Sequence, residues 1–315
     1  MFVRISLMVA ALCFVAQPYQ RVIGQEVSLV TLANPFAAAP LTAANKIRPM
    51  QSSGPGSLQA EGTLLLCGGG TIPKVVRDRF YQRGKGSQGT LVVIPTASEQ
   101  SDRGDFARFI DYWSEFRWRN LAILHMDNRE ASFRDDSALR LLEQATAVWI
   151  AGGDQSRLAE RYAGTPIESG LKALIHRGGI VGGTSAGAAI ASDSMISGGY
   201  CEPTMSRGFT MLTKAIVDQH FSQKGRSMRL RTAICRSPER TGIGIDESTG
   251  LFISPQKSKV VGEGSVFVYK MNGTSRIAPI ESPSQHFLDF ESVMDTTQLI
   301  NGDEIATLDL DVFAN

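Results

Sequence analysis

The sequence predicts an α/β domain: a mostly parallel sheet flanked by helices. Short apolar runs recur at "TLLLC", "TLVVIPT", "LAILHM", "AVWIAGG" and "GGIVGG". Each has strand length and no polar alternation, as strands covered on both faces read. Between them lie segments with helical spacing, Asp102–Phe116, Asp135–Ala145, Ser156–Ala163 and Ile167–Arg177, which is the alternation that βαβ units produce. A third observation concerns where chemistry would sit. The runs end in "CGGGTIP", "PTASE", "AGGDQS" and "GGTSAGA", all small or polar, and ligands of such sheets collect at the carboxyl ends of strands.

Taken in order, the chain opens with "MFVRISLMVAALCFVAQ", where the basic Arg4 precedes the apolar run Ile5 to Ala16. That run is too short to span a bilayer but suits the core of a signal peptide, with "VIG" before Gln25 as a small-residue cleavage site. Residues 1–24 are therefore expected to be a signal peptide and the protein to be secreted or periplasmic. No other segment approaches the length of a membrane span. Residues 25–60 read as a leader or linker outside the fold, because Ala33 to Glu61 is rich in Ala, Pro, Ser and Gly without a sustained period. The α/β domain is expected over 61–300, and 301–315 as a tail. Late in the domain, "TGIGIDESTGLFIS", "KSKVVGEG" and "SVFVYKM" read as short strands and hairpins that finish it.

With 315 residues, 43% hydrophobic, and a formal net charge of +1, the chain can bury a large core. It lacks the basic surplus that a nucleic-acid partner requires. Once a signal is removed, Cys67, Cys201 and Cys235 remain. They are too scattered for a disulfide framework or a zinc site, although a Cys201–Cys235 bridge is open to an exported protein. Cys67, ending "TLLLC", reads as a small core hydrophobe.

"GTSAG" (183–187) fits G-x-S-x-G, in which a serine sits on a strained strand–turn–helix elbow among small neighbours. Ser185 is the candidate nucleophile, and the Ala186 amide points where an oxyanion would form. "AGGDQ" follows the strand "AVWI", and Gly153 there offers an unhindered amide for the other half of an oxyanion hole. Four histidines compete to be the base. His176 lies at a helix C-terminus, where a cation complements the dipole. His125 ends a strand without an obvious acidic partner, and His286 lies in a poorly patterned segment. His220, in "AIVDQHFSQ", remains as the base.

The third member is more open. In elbow hydrolases the acid usually falls between serine and histidine. Of the carboxylates there, Asp193 points away from the elbow's mouth and Asp218 shares a strand face with His220, where it can touch substrate. Glu202, in the Gly-rich "SGGYCEPT", is favoured. Glu247, in "GIGIDES", is its rival, since chain order does not bind across folds. "KGRSMRLR" follows His220, with Arg226 and Arg229 three apart on one helical face. Paired guanidiniums there suit a carboxylate-rich substrate. "CGGGTIPK" lacks the spacing of a phosphate loop and of a dinucleotide fingerprint, and reads as close backbone approach at a strand end.

In this order and spacing, "AGGDQ", "GGTSAGA", "DQHFSQKGRSMRL" and "GIGIDE" closely resemble the cyanophycinases of serine peptidase family S51, which also includes the aspartyl dipeptidases. The resemblance spans Thr63 to Tyr269, and the segment after "DQHFSQ" is its most specific part. It implies a fold like class I glutamine amidotransferase domains. It also implies hydrolysis of multi-L-arginyl-poly-L-aspartate (cyanophycin) to β-Asp-Arg dipeptides without metal or cofactor. Ser185 would be nucleophile and His220 base, with the acid most nearly at Glu202. Gln155, Asp218, Gln219, Arg226, Arg229 and Glu247 match positions that line substrate pockets. The expected partner is thus a polymer or Asp-containing peptide; whether a second copy joins it as a homodimer is open. A small aspartyl or isoaspartyl peptide as substrate, and a catalytically silent binding domain on this scaffold, are the competing readings.

Overall fold

The computed structural model describes residues 31–33, 62–255, 257–271 and 294–306. The predicted signal peptide, most of the predicted leader, His286 and the tail beyond 306 lie outside these residues. The five apolar runs form the parallel heart of a nine-stranded sheet: β2 (Thr63–Cys67), β3 (Thr90–Ile94), β4 (Asn120–Ile123), β5 (Ala147–Ile150) and β6 (Ile180–Thr184). They are ordered β4-β3-β5-β6-β2. Side chains alternate across this sheet as a period of two requires. Leu64 and Leu66 join a core with Leu142, Leu171 and Leu174 on one face, while Leu65 and Cys67 join Val76, Phe80 and Trp113 on the other.

The helices cover both faces. They are α1 (Lys74–Arg83), α2 (Ala107–Ser114), α3 (Ala131–Arg134), α4 (Asp136–Gln144), α5 (Gln155–Tyr162) and α6 (Pro166–His176). Side-chain caps set several starts. Asp135 and Asp154 accept from the first amides of α4 and α5, and Thr165 precedes a Pro at the first turn of α6. The single helix expected over Asp102–Phe116 is divided, because a 3₁₀ turn over Glu99–Arg103 ends at Gly104 (φ 70°) before α2 begins. α1 lies in a stretch whose spacing gives little amphipathic signal, and it was not anticipated.

The late strands depart from the expected run of hairpins. β9 (Ala215–Gln219), β10 (Thr241–Ile245), β13 (Val266–Met271) and β14 (Met294–Leu299) form a second sheet ordered β14-β13-β10-β9. β11 (Thr249–Ile253) and β12 (Lys257–Gly262) instead extend the large sheet antiparallel beside β2. Only Asp246, Glu247 and Ser248 join β10 to β11, so the chain changes sheets there in three residues.

Both expected boundaries also shift at the sheet edges. β1 (Thr31–Ala33), inside the predicted leader, pairs with the free edge of β4. β15 (Glu304–Ala306), inside the predicted tail, pairs with β12. Cys67, Cys201 and Cys235 are all free thiols, so no Cys201–Cys235 bridge forms. Burial pushes the Cys67 thiol up, consistent with an inert core residue.

Candidate active site

Ser185 stands between β6 and the one-turn helix α7 (Ala186–Ala189), with φ 53° and ψ −113°. This is a positive-φ conformation that a side-chain-bearing residue adopts only under local constraint. The constraint is packing by its neighbours. A Cβ on Gly183 would lie 2.1 Å from the Gly187 carbonyl oxygen, and one on Gly187 would lie 2.2 Å from that of Ile150. Only glycine at both positions lets the turn close. The Ser185 amide donates to the Cys67 carbonyl (3.0 Å), which ties the elbow to the end of β2.

His220 follows β9, also with positive φ (48°), and its amide donates to the Gly68 carbonyl at 2.7 Å. Its imidazole reaches both ways: Nε2 lies 2.8 Å from Ser185 Oγ, and Nδ1 lies 2.5 Å from Glu247 Oε1. The glutamate arrives from the crossover between the sheets. The glycines of "CGGG" make the bed for this pair. Gly69 has φ 105°, and a Cβ there would meet His220 Cε1 at 2.2 Å, while one on Gly70 would meet Glu247 Oε2 at 2.9 Å. Burial holds the His220 imidazole below the usual histidine value, and Lys224 and Arg226 push the same way against the Glu247 hydrogen bond. The ring is therefore neutral at neutral pH and able to take a proton from Ser185.

This arrangement corrects the expected acid. Glu202 is exposed in the turn between β7 (Ser194–Gly198) and β8 (Thr204–Arg207), and its carboxylate pairs with Arg236 at the end of α8 (Ser227–Arg236). Gly199 (φ 90°) closes that turn tightly, with the Glu202 carbonyl oxygen 1.9 Å from where a Cβ would stand. The Glu202 carboxylate thus faces Arg236 and not the imidazole.

The paired arginines turn onto the chain's own groups. Asp218, at the end of β9, is buried, and Arg229 grips it through Nε (2.9 Å) and Nη2, while Nη1 donates to the Gly199 carbonyl (2.8 Å). Arg226 precedes α8 and directs Nη1 to Asp218, to the Gln219 carbonyl (2.5 Å) and to Gln219 Oε1. The Arg229 guanidinium thus serves the chain's own carboxylate and a backbone carbonyl rather than standing free for a substrate. Burial pushes the Asp218 carboxyl upward and both arginines pull it back.

The remaining candidates take separate places. Gly152 lies against the nucleophile, and a Cβ there would be 3.8 Å from Ser185 Oγ. Next to it, a Cβ on Gly153 would lie 2.2 Å from the Ala97 carbonyl oxygen. Ala186 opens α7, where an amide has no carbonyl within the helix to serve and can donate to a bound anion. Gln155 donates through Nε2 to the Ile196 carbonyl (3.0 Å), which links α5 to β7. His125 is buried away from Ser185 with Nδ1 on Thr96 Oγ1 (2.9 Å), and burial lowers it to about 4. His176 ends α6, as its position in the sequence suggests.

Several contributors were not anticipated. Asp246 and Gln223 brace the crossover, and Ser248 donates its amide to the Gly69 carbonyl (3.0 Å). Three consecutive glycines at a strand end were the available signal, though nothing near them names the residues they accommodate. Among the described residues, no group of His, Cys, Asp and Glu could hold a metal ion, and no helix is long and apolar enough to cross a membrane.

A serine on a strand–turn–helix elbow, bonded to a histidine that a carboxylate orients, on a mostly parallel sheet, is the site of a serine-type hydrolase. The comparisons with known proteins narrow the class. The model of peptidase family S51 matches residues 64–261, and the chain belongs to that family of serine-type peptidases. A cyanophycinase of Geminocystis herdmanii is 34% identical over 205 residues, covering 62% of this chain and 74% of that protein. One from Trichormus variabilis is 34% identical over 225 residues, covering 67% and 74%. A crystal structure of a peptidase from an acI-B1 Actinobacterium superposes with a TM-score of 0.59 at 21% identity, covering 79% of this chain and 98% of that one. Its likeness supports the α/β fold.

Proposed function

We propose that the protein is an exo-acting serine peptidase that hydrolyses cyanophycin to β-Asp-Arg dipeptides. The chemistry rests on one observation above all, the continuous contact from Ser185 Oγ through His220 to Glu247. The substrate rests on the similarity to cyanophycinases, at 33–34% identity over most of the catalytic segment.

In this reading Ser185 Oγ attacks a main-chain aspartyl carbonyl while His220 Nε2 accepts its proton. Glu247 holds the Nδ1–H and stabilises the imidazolium that forms. The amides of Gly153 and Ala186 receive the oxyanion. His220 then protonates the leaving amine, and a water deprotonated by the same nitrogen releases the dipeptide from the acyl-enzyme. Export, carried by the basic start and apolar run before Gln25, would place the reaction outside the cytoplasm.

An aspartyl dipeptidase reading stays in play because Arg229, which had argued for a carboxylate-rich polymer, is committed to Asp218. Incubating the protein with cyanophycin and, separately, with Asp-Xaa and isoaspartyl dipeptides separates the two. Release of β-Asp-Arg is the expected result. Cleavage of dipeptides with no attack on the polymer would replace the substrate assignment while leaving the mechanism in place.

A further inference from the structure

The relay needs Glu247 and His220 to stand at a fixed separation, yet they come from different loops. His220 begins the turn after β9, and Glu247 lies on the crossover from the small sheet to the large one. Where β10 ends, the Phe221 amide still reaches the Ile245 carbonyl, but two further backbone amides, Ser222 beyond β9 and Ser265 before β13, need another acceptor. The Asp246 carboxylate receives both of them: Oδ1 accepts from Ser222 (2.9 Å) and Oδ2 from Ser265 (3.1 Å), while its own amide donates to the Ser265 carbonyl (3.0 Å). One buried side chain therefore holds an amide from each flanking segment at the point where the chain leaves the sheet.

Ser222 lies two residues after the base, and Asp246 immediately precedes Glu247. A second brace runs in the opposite sense, since the Glu247 amide donates to Gln223 Oε1 at 3.0 Å. Asp246 is confined from both sides: a Cβ on Gly68 would meet its carbonyl oxygen at 2.0 Å, and one on Gly264 would meet its Cβ at 2.7 Å. Resting on the Ser185–His220–Glu247 reading above, we infer that Asp246, with Gln223, is the positioning residue that couples the loop of the base to the loop of its acid.

Carboxylate chemistry is required at 246. Asparagine offers one acceptor, and its amide group would face a second backbone N–H. The Nδ1 contact would then loosen while Ser185 and His220 stayed in place. The groups facing the imidazole are Ser185, Glu247, Lys224 and Arg226. Of these, Glu247 is the one that favours the protonated ring, so weakening its hold moves the titration of His220 downward in pH.

The test is the rate at which diisopropyl fluorophosphate modifies the full-length protein, followed from pH 4 to 8. Asp246→Asn is expected to lower the plateau rate roughly 10- to 100-fold, the range that displacements of about 1 Å produce, and to move the acid limb to lower pH. Gln223→Ala, an exposed change that leaves the core intact, is expected to shift the limb the same way by less. If Asp246→Asn fails to fold, Gln223→Ala decides alone. A limb at the wild-type position in the folded variants, whatever the rate, would overturn the inference, because a purely structural role changes the folded amount and not the titration. Ser185→Ala separates this from the parent reading: modification persisting in that variant would sink the relay itself.

Discussion

At the scale of single residues, two strained backbones and one short contact make the chemistry. Ser185 and His220 both hold positive φ, and each is fastened through its amide to a carbonyl at the end of β2, Cys67 and Gly68 respectively. The strand end thus serves as a common ruler for nucleophile and base, and Gly69 is glycine because the imidazole occupies the place of its side chain. The His220 titration follows from its surroundings. Burial and the neighbouring Lys224 and Arg226 outweigh the glutamate, so the folded-state value falls below that of a free histidine, 6.5. The base works when neutral, so activity is lost as pH falls through the lowered value. The acid limb of kcat/KM should accordingly have its midpoint below 6.5. A midpoint above 6.5 would mean that the glutamate, not burial, dominates the ring.

At the scale of elements, the Asp218–Arg229 pair is a buried cross-link. It joins the end of β9 to α8 and, through the Gly199 carbonyl, to the β7–β8 turn. Side-chain exposure is 1% for Asp218 and 7% for Arg229, so removing one partner strands a charge without water. Arg229→Met should cost about 3 kcal/mol in denaturant unfolding, near the lower end for broken buried pairs. A loss under about 1 kcal/mol, the scale of a surface pair, would show that Arg226 or solvent takes over. Sequence reasoning placed these arginines on a shared face but not which way the face turned. Helical spacing fixes relative azimuth, whereas orientation toward Asp218 depends on how α8 packs on β9. The relay acid was hidden for a related reason. "GIGIDESTGLFIS" has the texture of a hairpin, and only the pairing of β11 with β2 reveals that Asp246–Ser248 crosses between sheets and delivers Glu247 to His220.

At the scale of the whole molecule, the parallel heart of the sheet and the elbow were legible because their signals are local. Buried strands read as uninterrupted apolar runs, and G-x-S-x-G states its own backbone constraint. The base could be reached by elimination among four histidines. What stayed illegible depended on contacts between distant segments: the sheet change at Asp246, the edge strand β1 within the predicted leader, β15 within the predicted tail, and the glycine bed under the imidazole. The proposed chemistry requires that Ser185 be activated by a histidine that Glu247, and not Glu202, orients. Mass spectrometry of the protein treated with diisopropyl fluorophosphate tests this directly, comparing wild type with Glu247→Gln and Glu202→Gln. The prediction is a single adduct on Ser185, formed at the wild-type rate in Glu202→Gln and about 100-fold more slowly in Glu247→Gln, the lower end of what general acid–base catalysis supplies. Modification of another residue, or slowing by Glu202→Gln with Glu247→Gln unaffected, would contradict it.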